Sequence, residues 1–196
     1  MISEIRIYYE GHQLLKQGFS RFFDELRSRA KARRCDFQLI SGGSGSSAYG
    51  DFGRALRTRP HAWNILLVDS EGPHAGGLSE SLCRNQGWDQ SYRDSIFWMV
   101  EMMESWFHAD KDALEGFYGA GFKKNALKAN PKVEEIPKAD LEKGLKEATK
   151  GTRKGDYFEN KTSHGAKLLS AISPEKVKKA APNCRRLFAT VLTKLE

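Results

Sequence analysis

Along the first 72 positions, segments with the apolar pattern of a strand alternate with segments that have the apolar pattern of a helix. The stretch "IRIYYEG" is rich in β-branched and aromatic residues and ends at a glycine, which predicts a strand from Ile5 to Tyr9. From Gln13 to about Arg33 the apolar positions are mostly three or four residues apart, which predicts a helix with one buried face. These positions are Leu15, Phe19, Phe22, Phe23, Leu26 and Ala30.

The alternation continues with "CDFQLIS", a second predicted strand, and with the glycine- and serine-rich "GGSGSSAYG", interpreted as a flexible loop. A short helix through "FGRALRT" ends before Pro60. Trp63 to Val68, in which Asn64 is the one polar residue, is apolar enough for a central parallel strand, and "GPHAGG" predicts a loop after it. This order predicts an α/β fold, a Rossmann-like parallel sheet flanked by helices.

The remainder of the chain predicts one more strand and several helices. Ile96 to Val100 is the fourth strand, and the helix after it carries Glu104, with Trp106 and Phe107 expected in the core. Helical signals near the C-terminus predict helical additions to the sheet domain. The predicted organisation is an α/β core over 1–122, a basic and partly flexible insertion over 123–154, and a helical part over 155–196 that packs on the core.

The formal net charge of +7 is concentrated in one segment. Residues 123–154 hold ten basic residues against five acidic ones. A basic segment attracts nucleic acid through phosphate contacts and release of counterions. Lys and Glu also interleave in "ADLEKGLKEATKG", as they do on an ordinary solvated helical face, and both interpretations stay open.

The location expected from the sequence is the cytoplasm. No apolar run approaches the roughly 20 residues of a membrane span, and "MISEIRIYYEG" lacks the apolar region of a secretory signal. Cys35, Cys83 and Cys184 are widely spaced and form no CxxC pair, which is typical of reduced intracellular thiols.

Three carboxylates follow the ends of predicted strands. Glu10 comes directly after the first strand, and Asp69 and Glu71 come after the third. Functional groups of parallel sheets gather beyond the carboxyl ends of the strands. Clustered carboxylates repel one another unless cations neutralise them, and Mg²⁺ and Mn²⁺ prefer oxygen ligands. The pattern therefore predicts a divalent-metal site, with the alternative that Asp69 caps a turn and Glu71 is solvated.

Other common site motifs do not occur. The sequence contains no GxxxxGK[ST] phosphate loop and no GxSxG nucleophile elbow, and "GGSGSSAYG" is too irregular for a dinucleotide fingerprint. The five histidines form no HxxxH or HExxH pair, which argues against a zinc site.

The motifs "IYYEG" and "LLVDSEG", separated by a helix, a strand and a helix, resemble the Toprim (topoisomerase–primase) domain over roughly residues 5–72. The later stretches "EMMESWFHAD", "EIPKADLEKGL", "ENKTSHGAKLLSAISPEKV" and "APNCRRLFATVL" are similar to a family of small Toprim-like proteins. That family is encoded beside ABC-type or AAA-type ATPases in bacterial defence loci and is distantly related to the overcoming-lysogenization-defect nucleases.

This resemblance implies a role for each of several residues. Glu10 would be a metal ligand or general base, and Asp69 and Glu71 the metal-binding pair. Glu104 and Asp110 match acidic positions of the family, and Lys161 matches a lysine that could stabilise the charged phosphorus centre. From the residues alone, Glu104 could equally pair with a lysine, Asp110 belong to a polar surface and Lys161 be solvated in a loop.

The resemblance also has two departures. The first family motif often has a second acid where this chain has Gln13, and Glu71 stands where aspartate is more usual.

The expected activity is Mg²⁺- or Mn²⁺-dependent hydrolysis of phosphodiester bonds in DNA or RNA, with an ATPase partner in phage defence. One alternative is a non-catalytic partner subunit that binds an ATPase or nucleic acid. Another is a receiver-like domain phosphorylated on Asp69, although such domains use paired acids after the first strand and "YYEGH" has only Glu10.

Overall fold

The computed structural model describes residues 2–72 and 78–196. Residues 73–77, which belong to the loop predicted at "GPHAGG", lie outside this range. The described strands are β1 (Glu4–Tyr9), β2 (Asp36–Ser41), β3 (Trp63–Asp69) and β4 (Ile96–Met99). They form one parallel sheet in the order β2-β1-β3-β4. The predicted α/β fold with a parallel sheet flanked by helices is confirmed.

Ten α-helices occur in the described ranges. They are α1 (Leu15–Phe22), α2 (Asp24–Ala32), α3 (Gly45–Thr58), α4 (Leu78–Asn85), α5 (Glu104–His108), α6 (Lys111–Tyr118), α7 (Lys138–Thr149), α8 (Lys161–Ala171), α9 (Pro174–Ala180) and α10 (Pro182–Lys194). Short 3-10 turns cover Gln90–Ser95, Lys124–Ala126, Val133–Glu135 and Phe158–Asn160. The predicted helical character of the C-terminal part is confirmed.

Two helix boundaries differ from the prediction. The single helix expected from Gln13 to Arg33 is two helices that meet at Phe23, because the backbone there leaves the regular helical region. The expected flexible loop at "GGSGSSAYG" is wrong for its second part, since α3 begins at Gly45. The Ser44 side chain accepts a hydrogen bond from the Ser47 N–H at 3.2 Å and caps this helix, while buried Ala48 fixes it on the sheet.

A close backbone approach explains one glycine of that segment. A Cβ atom at Gly42 would lie 2.3 Å from the Cα atom of Ala48. The chain therefore enters α3 at a distance that only glycine allows.

The sheet has a hydrophobic core on each face. The smaller core contains α3 and α4 packed against residues such as Tyr8 and Trp98. The larger one contains apolar residues of the other eight helices, and Trp106 and Phe107 are fully buried in it, as predicted. Residues 123–154 and 155–196 contribute Leu141 and Leu168, among others, to this larger core, so all three predicted segments share it with the sheet.

Two further findings concern membrane-spanning helices and disulfide bonds. None of the helices in the described part of the chain has the length and apolar character needed to cross a membrane. All three cysteines are buried and form no disulfide.

Candidate metal centre

Glu10, Asp69 and Glu71 meet at the carboxyl edge of the sheet. β1 and β3 are adjacent and parallel, with Tyr9 paired with Leu67, so the residues that follow the two strands emerge side by side. One carboxylate oxygen from each acid lies within 4.8 Å of the others. The structure thus brings together the three acids that the sequence placed at strand ends.

The Glu10 carboxylate is held between β3 and α3. Its Oε2 atom accepts a hydrogen bond from the Asp69 N–H at 3.1 Å. A Cβ atom at Gly45, the first residue of α3, would lie 3.0 Å from the same oxygen, so the absence of a side chain there gives the carboxylate its space. Burial is the main cause that raises the pKa of Glu10, and the negative charge of Glu71 raises it further.

Asp69 carries the strongest electrostatic perturbation of the three acids. Its Oδ1 atom accepts the Met103 N–H at 2.8 Å, a bond to the segment after β4 and not to the turn that directly follows Asp69. Burial raises its pKa well above the usual range, and the charges of Glu104 and Glu10 add to this effect. A carboxylate in such surroundings binds a proton or a cation far more readily than one in water.

Glu71 is the exposed member of the group and pairs with a lysine. Its backbone has a φ of 58°, so the chain turns at this residue instead of continuing as an extended strand. Its N–H donates to the Glu101 carbonyl oxygen at 3.1 Å, which fixes the turn against the residues after β4. The Lys138 ammonium group contacts the Glu71 carboxylate. Glu71 is therefore neither freely solvated nor aligned with Asp69 by strand geometry.

Glu104 and Lys161 lie beside these acids. Glu104 is fully buried, and its Oε1 atom accepts the Tyr157 O–H at 2.7 Å and contacts the Lys161 ammonium at 3.1 Å. Its Oε2 atom has no hydrogen-bond partner among the described residues. Burial raises the pKa of both Asp69 and Glu10, and the positive charge of Lys161 offsets part of this rise. Lys161 therefore acts on the centre as well as on Glu104, its ion-pair partner.

The structure does not place Asp110 in the centre. It caps α6 by accepting the Ala113 N–H at 3.3 Å, and its other oxygen accepts the Ser173 N–H at 2.9 Å. The Lys176 ammonium contacts it at 2.6 Å. Asp110 therefore joins α6 to α9, which is a structural role and not the metal-ligand role that the resemblance implied.

The comparison with protein families gives a match over nearly the whole chain. Residues 10–192 match a family described as "Domain of unknown function (DUF4276)". The chain belongs to this family. The matched range of the DUF4276 domain contains Glu10, Asp69, Glu71, Glu104 and Lys161. No curated protein and no solved structure shows significant similarity to the chain.

The donor set in the DUF4276 domain suits a hard divalent cation. Glu10, Asp69 and Glu71 supply oxygen ligands only, as Mg²⁺ and Mn²⁺ prefer. Burial raises the pKa of Asp69, and the negative charges of Glu104 and Glu10 raise it further; a bound cation would offset this cost.

Sequence reasoning missed three contributors to the centre. Tyr157 binds Glu104 across 53 residues, and nothing in "GDYFEN" distinguishes it from an ordinary core aromatic residue. Lys138 is the first residue of α7, and its contact with Glu71 has no sequence signal. Glu101 accepts the Lys138 N–H at 3.0 Å, and only tertiary structure reveals it.

Proposed function

We propose that this chain is a Toprim-like nuclease that hydrolyses phosphodiester bonds of DNA or RNA with Mg²⁺ or Mn²⁺. The observation that supports it is the convergence of Glu10, Asp69 and Glu71 within 4.8 Å at the carboxyl edge of a parallel sheet. The order of motifs along the chain, with Glu-Gly after β1 and Asp-Ser-Glu-Gly after β3, adds the Toprim resemblance to this geometry.

In this proposal each residue has a defined task. Glu10, Asp69 and Glu71 hold the cation, which when bound acts as a Lewis acid and lowers the pKa of water. Glu10, fixed by the Asp69 N–H, is also placed to accept a proton at Oε2. Lys161 offers its positive charge to the phosphate oxygens on which negative charge develops.

The charge distribution supports a polyanionic substrate. Ten basic and five acidic residues lie between positions 123 and 154. α7 begins at the centre with Lys138 and carries three basic and three acidic residues, so the basic excess lies in the segments on either side of it. Basic surfaces draw nucleic acid towards a centre whose own carboxylates would repel it. An ATPase partner and a role in phage defence follow from the resemblance, and a cytoplasmic location follows from the cysteine spacing and the lack of a long apolar run; all three belong to the same proposal.

A non-catalytic subunit that binds an ATPase or nucleic acid is the second candidate. Two observations favour it. Gln13 occupies the place of the second acid in the first motif, and the Lys138 ammonium group already neutralises Glu71. In this alternative the acids are retained for structure and the centre holds no cation.

Two measurements on the same variants decide between the candidates. Mn²⁺ binding is followed by calorimetry, and cleavage of plasmid DNA and of RNA is followed with Mn²⁺ or with EDTA. The nuclease proposal expects Mn²⁺-dependent cleavage that Asp69→Asn and Glu10→Gln abolish. Asp51→Asn, which changes an acid exposed on α3, serves as the matched control and should cleave normally. Absence of both Mn²⁺ binding and cleavage from the wild-type protein would overturn the proposal.

A further inference from the structure

A second cleft lies between the end of α5, the start of α6, the loop over residues 129–133, and α9. Its volume is about 530 Å³, which falls in the range of small-molecule sites. Five lysines line it, with Asp112 as the one acid of the lining: Lys111, Lys124, Lys132, Lys176 and Lys179. None of the residues of the metal centre lines this cleft.

Several of these lysines are held in place before any ligand arrives. The Asp112 carboxylate contacts Lys124 at 2.6 Å through one oxygen and Lys176 at 3.0 Å through the other, which fixes the two ammonium groups on either side of it. Lys111 donates to the carbonyl oxygens of Leu127 and Lys128. Side chains fixed in this way lose little further conformational entropy when they bind an anion.

Two of the five lysines have no acidic partner in the described part of the chain. Lys111 is bound only by backbone carbonyl oxygens, and Lys179 is exposed without an ion pair. Burial is the main cause that lowers the pKa of Lys111, and the positive charge of Lys124 lowers it further. An anion bound in the cleft would stabilise the charged form of Lys111.

The rest of the cleft lining is mostly apolar. Ala109, Ala129, Pro131, Val133 and Ala180 form it together with two polar residues, His108 and Asn130. Inorganic phosphate alone would leave this wall and most of the volume unused. A ligand with a phosphorylated end and a flat apolar part matches both halves of the lining.

We propose that the lysine cleft binds a nucleotide, with its phosphate groups on Lys111, Lys176 and Lys179 and its base against the apolar wall near Pro131. This site is independent of the metal centre and of the nuclease proposal. It differs from a track for nucleic acid because the lysines converge on one cleft between four segments.

The test is calorimetry of the full chain in EDTA with ADP and with pyrophosphate. ADP should bind, and pyrophosphate should bind more weakly because it lacks the base. Lys111→Gln and Lys179→Gln should each weaken ADP binding by about tenfold, the effect of losing one charged hydrogen bond. Lys179→Gln removes an exposed side chain without partners, so its effect does not depend on altered folding. Lys16→Gln, on the exposed face of α1, is the matched control and should bind as the wild type does.

Two outcomes would overturn the nucleotide site: no ADP binding by the wild type, and equal affinity for ADP and pyrophosphate. If ADP does not bind and Lys179→Gln also weakens the binding of a single-stranded oligonucleotide, the lysines belong to a nucleic-acid surface. Asp69→Asn should bind ADP normally, so failure of this site and failure of the nuclease proposal are distinguishable.

Discussion

The ammonium group of Lys138 contacts the carboxylate of Glu71, 67 positions earlier in the chain. Lys138 is the first residue of α7, and its N–H donates to Glu101 at 3.0 Å, so both its backbone and its side chain are bound to the loops that follow β4 and β3. The hydrogen bond with the Glu71 carboxylate is the largest cause that raises the pKa of Lys138, and the negative charge of Glu71 adds to it. An internal cation therefore occupies part of the place that a metal ion would take.

Removing that internal cation should strengthen metal binding. We expect Lys138→Met to bind Mn²⁺ up to about fivefold more tightly at low salt, because a partly exposed ion pair contributes at most about 1 kcal/mol. Titration of Mn²⁺ followed by electron paramagnetic resonance measures the change. Lys143→Met removes an exposed charge from the same helix and is the control, with unchanged affinity. Equal affinity of Lys138→Met and wild type would show that the lysine does not compete.

Tyr157 should contribute to stability through the buried Glu104 carboxylate. Tyr157→Phe removes the 2.7 Å hydrogen bond and leaves the Glu104 carboxylate with Lys161 as its partner. We expect the free energy of unfolding to fall by about 2 kcal/mol, since a buried charged acceptor loses a donor. Urea denaturation measures it. The exposed Tyr92 provides the matched change Tyr92→Phe, for which a difference within about 0.5 kcal/mol is expected. Equal losses in the two variants would contradict this role.

Asp110 and Asp69 should separate stability from metal binding. Asp110→Ala removes an α6 cap and the contacts with Ser173 and Lys176, so we expect a loss of about 2 kcal/mol in the free energy of unfolding with unchanged Mn²⁺ affinity. Asp69→Asn removes a repelled carboxylate, so it should lose Mn²⁺ binding and keep or gain stability in EDTA. Loss of Mn²⁺ binding in Asp110→Ala, with its fold intact by circular dichroism, would return Asp110 to the ligand set.

Stability should fall in mild acid because of His108. Burial is the main cause that lowers the pKa of His108 to about 4, and Lys111 lowers it further. In the unfolded chain the imidazole has a pKa near 6.5 and takes up a proton that the folded chain excludes. Its contribution is therefore complete above pH 6.5 and is lost as the pH falls towards 4. Between pH 7 and 5 this loss amounts to about 2 kcal/mol.

The pH effect of His108 can be isolated by comparing variants. The carboxylates of the metal centre titrate in every variant, so the difference between the wild type and His108→Gln reports His108. Urea denaturation at pH 7 and pH 5 should give a smaller decrease for His108→Gln than for the wild type. His61→Gln, at an exposed position, should retain the full decrease. Parallel pH dependence of His108→Gln and wild type would contradict a buried neutral imidazole.

The sequence predicted the parts of the centre that depend on strand order. Hydrophobic periodicity predicted the four strands. Because functional groups collect at the carboxyl ends of parallel strands, the strand order also predicted that Glu10 and Asp69 lie close together. The contact of Tyr157 with Glu104 depends instead on how the residues before α8 pack against α5, and no local pattern encodes that packing.

The helix that begins at Gly45 shows a different limit. Glycine and serine content in "GGSGSSAYG" favoured a loop. In the structure Ser44 caps α3 by accepting a hydrogen bond from the Ser47 N–H, and Ala48 is buried against the sheet. Tertiary burial outweighed the weak local propensity. The roles of Glu104, the first residue of α5, and Asp110, the cap of α6, were equally hard to separate from the sequence, because only the tertiary contacts show that Asp110 binds Ser173 and that Glu104 binds Tyr157.

The shared larger core has a consequence for anyone who wishes to reduce this protein to a minimal fragment. A chain ended at residue 122 would lose Leu141, Leu168 and Phe188 and would expose the apolar side chains that these residues cover. It would also lose Tyr157 and Lys161, and with them the two groups bound to Glu104. Truncation would therefore yield an aggregating polypeptide and not a smaller folded domain, so biochemical dissection of this chain has to proceed by point substitution.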